Sequence, residues 1–267
     1  MPVLLIDGNN WFAQCYFAAT SIDGSGHPAD IFNRRLRGVR TSVKHSLAVV
    51  CWDSDESFRK SLSLDYKSHR QPKPRAFYEA LADAKIAVEN DSYVMSADSL
   101  GYEADDCIAT LVRVCHDEGH RAIMFSADKD LHQLLSDRTV TQVTNLRRLT
   151  KGRYNFDVTT AQALFQKYGV RSDQWVEYRC LVGDPSDGIS GCPRIGPQTA
   201  REIFTQVPNL DTFYRNPFGV DITAGQRTAM TNYRSDLKLV TRLITLVDSV
   251  PLPARLLESF STVEANA

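Results

Sequence analysis

Aspartate side chains follow three short apolar segments that lie far apart in the sequence. Asp7 comes directly after VLLI, Asp53 follows AVVCW, and Asp128 follows MF after two intervening residues. Apolar runs of this length are typical of buried parallel strands, whose carboxyl ends meet along one edge of an open sheet. A single aspartate after a strand is more often a turn or helix-capping residue. Because the pattern occurs three times, we expect the three carboxylates to converge.

Further acidic residues occur in three motifs. GYEADDCIATL has three acids at the start of a predicted helix, SADKD adds a second aspartate after the third apolar segment, and LVGDPSDG has two aspartates in a loop. Favourable interaction with the helix dipole explains one or two acids in a first turn, but less readily three in four positions. The nine candidate ligands are Asp7, Asp53, Glu103, Asp105, Asp106, Asp128, Asp130, Asp184 and Asp187.

So many carboxylates cannot share a site without cations, because mutual repulsion would force several of them to protonate. Oxygen ligands without histidine or cysteine favour hard divalent ions, Mg²⁺ or Mn²⁺. The ligands exceed the needs of one Mg²⁺, so we expect two or more ions, an arrangement used for phosphodiester hydrolysis. Calcium buffering is the competing interpretation, but the EF-hand pattern is absent.

Two further segments have the composition of phosphate-binding sites. FRKSLSLDYKSHRQPKPR interleaves aromatic residues with cations, a mixture found in single-strand binding, although an ordinary exposed helix has a similar composition. In GDPSDGISGCPRIGPQTAREIF, Gly188, Gly191 and Gly196 allow a tight turn before a helix that begins at Pro197. Its free backbone N–H groups could bind a duplex phosphate without reading bases. The glycine spacing matches neither GxGxxG nor the P-loop, so nucleotide-cofactor binding is disfavoured.

The elements that must position these residues indicate an α/β fold. We predict strands at Val3–Ile6, Leu47–Trp52 and Ala122–Phe125, alternating with amphipathic helices, and hence a mostly parallel central sheet flanked by helices. Residues 160–250 show helical periodicity and no convincing strand, which predicts a helical C-terminal subdomain. The last residues, 261–267, are expected to form a loose tail.

Composition excludes several classes of protein. The chain has 267 residues, of which 43% are hydrophobic and 24% charged, with a net charge of −1, so it is neither disordered nor a coiled coil. No apolar run is long enough to span a bilayer, and the amino-terminal residues do not form a signal peptide. Six cysteines without a CxxC pair are typical of reduced, buried thiols, so we expect a cytoplasmic protein without a membrane partner.

The motifs together resemble the 5′-nuclease or flap endonuclease family, which includes the 5′-exonuclease domain of bacterial DNA polymerase I and stand-alone bacteriophage enzymes. The matching segments are LLIDGNN, WDSDESFRKSLSLDYKSHR, GYEADDCIATL, SADKDLHQLL and LVGDPSDGISGCPRIGPQTA, in the family's order over about residues 1–253. The resemblance implies a metal-dependent 5′-3′ exonuclease and flap endonuclease of DNA replication or repair. Its partner would be DNA with a 5′ flap, nick, gap or single-stranded 5′ end.

The resemblance also implies a domain organisation. Residues 1–155 would form a nuclease core with a basic helical arch at about 54–80. Residues 156–253 would form the helical subdomain, with a helix-three-turn-helix element at about 174–206 that grips duplex DNA around K⁺, and residues 254–267 a tail. No polymerase domain follows, so we expect a stand-alone monomer of the kind that bacteriophages encode.

The resemblance further assigns roles to single residues. Asp7, Asp53, Glu103 and Asp105 would hold a first metal cluster with Asp106 nearby, and Asp128, Asp130 and Asp187 a second, with Asp184 acting partly through water. Lys67 and Arg70 would contact the scissile phosphate, and Tyr66 would stack on a nucleobase. The implied DNA contacts are Tyr66, Arg59, Gly188, Gly191, Arg194, Gly196, Gln198 and Thr199.

The chain departs from the family pattern at a few positions. Gln14 replaces an arginine, Gly188 an asparagine and Ser190 a proline, while Arg194 replaces a glycine and Gln198 a lysine. Our hypothesis is that Arg194 takes over the phosphate contact that the lysine would make. None of the acids is lost, which disfavours a non-catalytic DNA-junction binder. An RNA-cleaving nuclease of related fold is the nearest alternative, but it should lack the glycine-rich turn.

Overall fold

The structure is a computed structural model that describes residues 1–21, 26–148 and 154–263. The chain divides into two units. Unit 1 comprises residues 1–57, 71–159 and 246–267, and unit 2 comprises residues 58–70 and 160–245. Both pieces of unit 2 are therefore insertions into the chain of unit 1.

Unit 1 is built on a six-stranded sheet. Its strands are β1 (Val3–Asp7), β2 (Leu47–Cys51), β3 (Met95–Ala97), β4 (Ala122–Phe125), β5 (Val140–Arg148) and β6 (Tyr154–Thr159). Their order is β3-β2-β1-β4-β5-β6, and all neighbours are parallel except β5 and β6. The predicted α/β fold is confirmed, and β1, β2 and β4 correspond to the three predicted strands.

The register of the central strands brings their ends to one edge of the sheet. Asp7 pairs with Cys51 in β2, and Ile6 pairs with Phe125 in β4. Every residue of β1 is buried, as expected for a strand covered on both faces. The residues that follow β1, β2 and β4 therefore leave the sheet at the same place, here called the carboxyl edge.

The helices are α1 (Gly8–Ser21), α2 (Pro28–Ser42), α4 (Arg75–Glu89), α5 (Ala104–Asp117) and α11 (Ala254–Ser261) in unit 1, and α3 (Phe58–Leu62), α6 (Ala161–Tyr168), α7 (Trp175–Val182), α8 (Pro197–Gln206), α9 (Leu210–Arg215) and α10 (Ala224–Ile244) in unit 2. Unit 2 also contains a two-stranded antiparallel ribbon of β7 (Gly183–Asp184) and β8 (Ile189–Ser190). None of the helices in the described residues is long and apolar enough to cross a membrane.

Each unit has its own buried side chains. In unit 1, Phe12 lies between the rings of Phe32 and Phe77, at centroid distances of 6.0 and 5.3 Å, and this packing joins α1, α2 and α4. In unit 2, the Tyr233 hydroxyl of α10 donates to the Cys180 carbonyl of α7 at 2.9 Å. All six cysteines are buried free thiols.

The end of the chain differs from the prediction. Residues 254–261 belong to the predicted tail but form α11, whose Leu256 and Phe260 are buried. An apolar pair four residues apart gives the helix one buried face, and the Phe260 carbonyl oxygen lies 3.0 Å from His120 Nε2. Residues 264–267 of the predicted tail lie outside the described residues.

The boundaries between units also differ from the predicted ones. The sequence suggests a change near residue 155, whereas unit 1 continues to residue 159 because β6 completes the sheet. Of the segment at 54–80, only residues 58–70 belong to unit 2. The segment from Arg75 begins α4, whose Phe77 and Ala80 are buried in unit 1.

Candidate active site

Acidic side chains of unit 1 come together at the carboxyl edge of the sheet. Asp53 and Asp128 both raise the pKa of Asp7 by charge repulsion. Asp105 lies in the first turn of α5. Burial raises its pKa, and the charges of Asp128, Asp7, Asp130 and Asp53 raise it further. The predicted convergence of the strand-end aspartates is therefore present in unit 1, and Asp105 and Asp130 belong to the same group.

Asp7 is held in place by hydrogen bonds from the first turn of α1 and from the residue that follows β4. Its Oδ1 accepts from the Asn10 amide at 2.9 Å, and its Oδ2 accepts from the Ser126 hydroxyl at 2.8 Å. The side chain is only 4% exposed. Burial, followed by repulsion from Asp53, raises the pKa of Asp7 to about 7 although both hydrogen bonds lower it.

We expect this raised pKa to make the metal-free protein less stable as the pH rises. Between an ordinary value of 3.8 and a folded value of about 7, the folded state keeps a proton that the unfolded state has lost. The stability contributed by this proton is complete below about pH 4 and is lost as the pH rises through 7. Thermal unfolding in EDTA should show a smaller decrease between about pH 5 and 7.5 in Asp7→Asn than in the parent protein. An identical decrease in both proteins would contradict this prediction.

The start of α5 is tied to β2 through Asp53. Asp53 Oδ1 accepts from the Ala104 amide at 2.9 Å, and the Asp53 amide donates to Asn9 Oδ1 at 3.0 Å. Glu103 is the N-cap of α5 and directly precedes this contact. Sequence reasoning missed Asn9 and Asn10, although two consecutive amide side chains one residue after a strand-end aspartate are a usable signal.

Asn10, in the first turn of α1, also contacts Gln14, which departs from the family pattern. Asn10 Oδ1 accepts from Gln14 Nε2 at 2.9 Å and lies 3.5 Å from the Ala127 amide. Gln14 therefore has a local partner one helical turn away, where the family pattern has an arginine. Its amide side chain therefore binds the residue whose backbone amide donates to Asp7.

The loop after β4 positions Asp128 and Asp130. The Asp128 amide donates to the Ser126 hydroxyl at 3.0 Å, and the Asp130 amide donates to Asp128 Oδ1 at 2.8 Å. Buried Gln142 of β5 donates through Nε2 to the carbonyl oxygens of Ser126 and Asp128 at 2.8 and 2.6 Å. Ser126 and Gln142 were not predicted as site residues, because the partner of this loop lies on a strand that the sequence pattern did not reveal.

Asp105 is the strongest indication that the group binds cations. Its Oδ1 is buried and has no hydrogen-bond partner among the described residues. Burial, together with the charges of Asp128 and Asp7, raises the pKa of Asp105 well above its usual range. A buried acceptor without a donor is costly, and a cation coordinated by the neighbouring carboxylates would satisfy it. The residues present therefore fit a divalent metal ion.

Asp106 accepts backbone hydrogen bonds at the start of α5. Its Oδ1 accepts from the Val247 amide at 2.9 Å, and its Oδ2 accepts from the Glu103 amide at 3.1 Å. The side chain is fully buried. Both oxygens accept from backbone amides, and the assignment of Asp106 as a metal ligand stays a prediction. The side chain anchors the start of α5.

In unit 2, the predicted catalytic cations bind the loop that carries Asp187. Arg70 Nη2 donates to Asp187 Oδ1 at 2.5 Å, and Lys67 Nζ lies 4.0 Å from Asp187 Oδ2. The Lys67 amide donates to the Asp187 carbonyl at 2.9 Å, and Arg70 Nε donates to the Ser186 carbonyl at 3.1 Å. The arrangement brings Lys67 and Arg70 to Asp187, which lies 117 residues after Arg70 in the sequence.

Asp184 is also engaged within unit 2. Its Oδ1 accepts from the Ser186 amide and hydroxyl at 2.9 and 2.7 Å, and its Oδ2 pairs with Arg179. Asp128 and Asp130 belong to unit 1, whereas Asp184 and Asp187 belong to unit 2. The second metal cluster that the resemblance implies therefore stays a prediction.

Two predicted DNA contacts are buried instead. Arg59 is 1% exposed and donates to the Leu243 and Thr245 carbonyl oxygens at 2.9 and 3.1 Å. Its assignment to DNA binding is wrong, because the buried guanidinium group donates to backbone carbonyl oxygens at the end of α10. Tyr66 is 4% exposed with Lys67 Nζ 4.8 Å from its ring centroid, so the ring is not placed to stack on a base.

The glycine-rich turn lies between α7 and α8, and its glycines serve different purposes. Gly188 has φ +74°, and a Cβ there would come within 2.8 Å of the Asp65 carbonyl oxygen. A Cβ at Gly191 would come within 2.5 Å of the Leu181 carbonyl oxygen. Gly196, the N-cap of α8, has no atom within 4 Å of its Cβ position. The first two are therefore required by the fold, and only the third faces open space.

The remaining departures lie in and after this turn. Arg194 has φ +66°, a conformation that glycine adopts more easily, which explains why the family pattern has glycine here. Its Nη1 would lie 2.9 Å from a Cβ placed on Gly225, at the start of α10. Gln198 Nε2 donates to Glu202 Oε1 at 3.0 Å, and Thr199 Oγ1 accepts from Gln226 Nε2 at 3.3 Å. Whether Arg194 contacts a phosphate stays a prediction.

Replacing Arg194 by glycine should test this role without disturbing the backbone. Glycine adopts the positive φ without strain, so we expect Arg194→Gly to be about 0.5–1 kcal/mol more stable than the parent. If the guanidinium binds a phosphate, the slope of log K against log salt should become less steep by nearly one unit. The measurement is duplex DNA binding in Ca²⁺ across a range of KCl concentrations, with Gln198→Ala as a control of unchanged slope. Equal slopes for parent and Arg194→Gly would show that the arginine makes no such contact.

Comparisons with known proteins match both parts of the chain. Residues 2–169 match the family model of the 5′-3′ exonuclease N-terminal resolvase-like domain, and residues 170–266 match that of the 5′-3′ exonuclease C-terminal SAM fold. The chain is 34% identical over 218 residues to the thermostable DNA polymerase I of Thermus thermophilus, which covers 80% of this chain. It spans only 25% of the length of that polymerase.

Two other proteins resemble the chain over nearly its whole length. A 5′-3′ exonuclease of Bacillus subtilis is 29% identical over 271 residues, covering 98% of this chain and 88% of the relative. The bacteriophage T5 flap endonuclease, solved as a pseudo-enzyme-product complex with DNA and metal ions, has a TM-score of 0.72. It is 19% identical and covers 98% of this chain and 97% of its own, so it shows a shared fold.

Proposed function

The chain belongs to the 5′-3′ exonuclease family, and from this membership we propose that it is a divalent-metal-dependent 5′-nuclease. Its substrate would be branched, nicked or gapped DNA with a 5′ flap or single-stranded 5′ end, cut in replication or repair. The relatives support the substrate class, because one is a 5′-3′ exonuclease and another a flap endonuclease in complex with DNA. The observation that carries the proposal is the unpartnered Asp105 Oδ1 among the carboxylates of the carboxyl edge.

The residues that would hold metal ions follow from the geometry of unit 1. Asp7, Asp53 and Asp105, with Glu103 beside them, would bind a first ion, while Asp106 anchors the helix that carries two of these ligands. The second cluster that the resemblance implies, with Asp128, Asp130, Asp184 and Asp187, stays a prediction. When bound, Mg²⁺ or Mn²⁺ supplies Lewis-acid activation of water and charge neutralisation for phosphodiester hydrolysis.

The protein's own side chains would position the DNA. Lys67 and Arg70 would bind the scissile phosphate, and Arg70, which is half exposed, would exchange Asp187 for a phosphate oxygen. The turn from Gly188 to Gly196 would bind duplex DNA as a helix-three-turn-helix element, with K⁺ as its candidate ion. We expect a monomer that acts in the reducing cytoplasm, in keeping with its free buried cysteines.

A cleavage assay tests this function directly. A DNA substrate with a 5′-labelled flap is incubated with the protein and Mg²⁺, and in parallel with EDTA. We expect labelled products released from the flap and its junction only with the metal present. Absence of cleavage with both Mg²⁺ and Mn²⁺, or cleavage that EDTA does not reduce, would contradict the proposal.

A further inference from the structure

A cleft between α2 and α4 in unit 1 contains cationic and aromatic groups that the nuclease site does not use. Its volume is about 640 Å³, and its walls include Arg37, Arg40, His45, Asp91 and Tyr93. This volume is in the range of small-molecule sites. His45 and Tyr93 shortly precede β2 and β3, so the cleft lies at the amino ends of these strands. The acidic residues lie at the opposite edge of the sheet.

The guanidinium group of Arg40 lies at this cleft, and not all of its N–H donors are used. Its Nη1 donates to Asp91 Oδ2 at 3.0 Å, and its side chain is 15% exposed. Its Nε is buried without an acceptor in the described part of the chain. Nη2 likewise has no acceptor among those residues and is not buried. A fixed guanidinium with an unused Nη2 group that is not buried is suited to binding an anion.

The charges around Arg40 favour a negatively charged ligand. Arg37 lies one helical turn before Arg40 on α2, is exposed, and has no acidic partner among the described residues. Asp91 is the one acid in the wall of the cleft, and its two oxygens accept from Arg40 and from the Tyr93 amide. Two guanidinium groups against one carboxylate leave the cleft with net positive charge.

Tyr93 adds an aromatic surface beside these cations. Its side chain is 76% exposed, which is unusual for a large ring, and Arg40 Cζ lies 5.3 Å from the ring centroid. Most of the ring is therefore open to solvent beside the guanidinium group of Arg40. An exposed ring next to cations is the combination with which proteins stack a nucleobase and bind its phosphate.

We propose that this cleft binds a nucleoside 5′-monophosphate unit, with the phosphate at Arg37 and Arg40 Nη2 and the base on the ring of Tyr93. The unit is either a free mononucleotide or one residue of single-stranded DNA, because the recognition chemistry is the same for both. Its binding can be measured without cleavage. The proposal therefore stands or falls independently of the proposed nuclease activity.

The test measures binding of thymidine 5′-monophosphate and of a short oligothymidylate by calorimetry in EDTA, which removes any metal-dependent cleavage. Arg37→Ala and Tyr93→Ala should each weaken binding about tenfold, the effect of one charge-assisted contact or one stacked base. Both residues are exposed, so the variants should fold, which their melting temperatures check. Arg34→Ala is the matched control, because Arg34 is an exposed arginine of the same helix outside the cleft walls. It should stay within about twofold of the parent.

The two ligands distinguish the two sources of the nucleotide. Mononucleotide binding that depends on Arg37 and Tyr93 identifies a free nucleotide site, whereas dependence seen only with the oligonucleotide identifies a strand-binding site. In the second case, an oligonucleotide carrying 5-iododeoxyuridine should photo-crosslink to Tyr93. The proposal is overturned if neither ligand binds, if both variants bind as the parent does, or if Arg34→Ala weakens binding as much as Arg37→Ala.

Discussion

Replacement of Asp105 by asparagine is expected to abolish phosphodiester cleavage and, at the same time, to stabilise the metal-free protein. Burial raises the pKa of this carboxyl group, and repulsion from Asp128, Asp7, Asp130 and Asp53 raises it further. A neutral amide of the same size removes that repulsion. It also removes an anionic ligand from the candidate metal site, so cleavage should fall at least about a hundredfold.

Two measurements on the same variant check this prediction. Single-turnover cleavage of a flap substrate in Mg²⁺ gives the loss of activity, and thermal unfolding in EDTA gives the gain in stability. A gain on the order of 1 kcal/mol would raise the melting temperature by about 2–4 °C in a chain of this size. Asp98→Asn is the control, because Asp98 is an exposed acid near the carboxyl end of β3. Retention of more than about a tenth of the parent's activity by Asp105→Asn would exclude Asp105 as a metal ligand.

Replacement of Lys67 by alanine is expected to lower the single-turnover cleavage rate by roughly 10²–10³, the usual cost of one transition-state donor. Lys67 has φ +55°, a conformation that costs free energy in a residue with a Cβ and that is often retained at functional sites. Its backbone amide donates to the Asp187 carbonyl, so the strained residue is fixed to the acidic loop of unit 2. The rate should be measured at saturating enzyme.

The backbone at Lys67 requires a second variant. Lys67→Gly relieves the positive φ and still removes the ammonium group, so it should lose as much activity as Lys67→Ala while being more stable. Lys60→Ala is the matched control, since Lys60 is an exposed lysine in the same inserted segment. Its rate should change less than about twofold. A twofold effect of Lys67→Ala would mean that the lysine is only a solvated side chain of this segment.

The acidic group at the carboxyl edge could be predicted because it depends on local signals. The buried strands β1, β2 and β4 are read from short apolar runs, and the parallel arrangement brings Asp7, Asp53 and Asp128 together. Asp105 could be added because the first turn of α5 carries more acids than capping explains. None of these inferences required knowledge of long-range contacts.

The contacts that could not be predicted are those made with a distant part of the chain. Asp106 differs from Asp105 in sequence only by one position, but its partner, the Val247 amide, lies 141 residues away. Arg59 looks like a DNA-binding cation in a basic segment, but it is satisfied by the Leu243 carbonyl, 184 residues away. No local pattern distinguishes a buried arginine or aspartate from an exposed one when the partner is a backbone group.

The missed strands have a related cause. β3 has only three residues, too few for a periodic pattern, and β5 contains the polar sequence TQVTN. Gln142 of β5 is buried and supports the loop of Asp128. Its polar side chain gave no sign in the sequence that the residue is buried. Strands of this kind are identified by their pairing partners rather than by composition.

The order in which unit 1 is assembled along the chain has a consequence for its biosynthesis. The segment after residue 245 supplies the Val247 amide to Asp106 and the Val250 amide to Thr110, and it also carries α11. These partners are synthesised after the other parts of unit 1, whereas domains usually fold from the N-terminus as they are synthesised. The nascent chain therefore contains every acidic ligand long before it contains the groups that secure the start of α5. We expect nuclease activity to appear only after the segment that follows residue 245 has been synthesised.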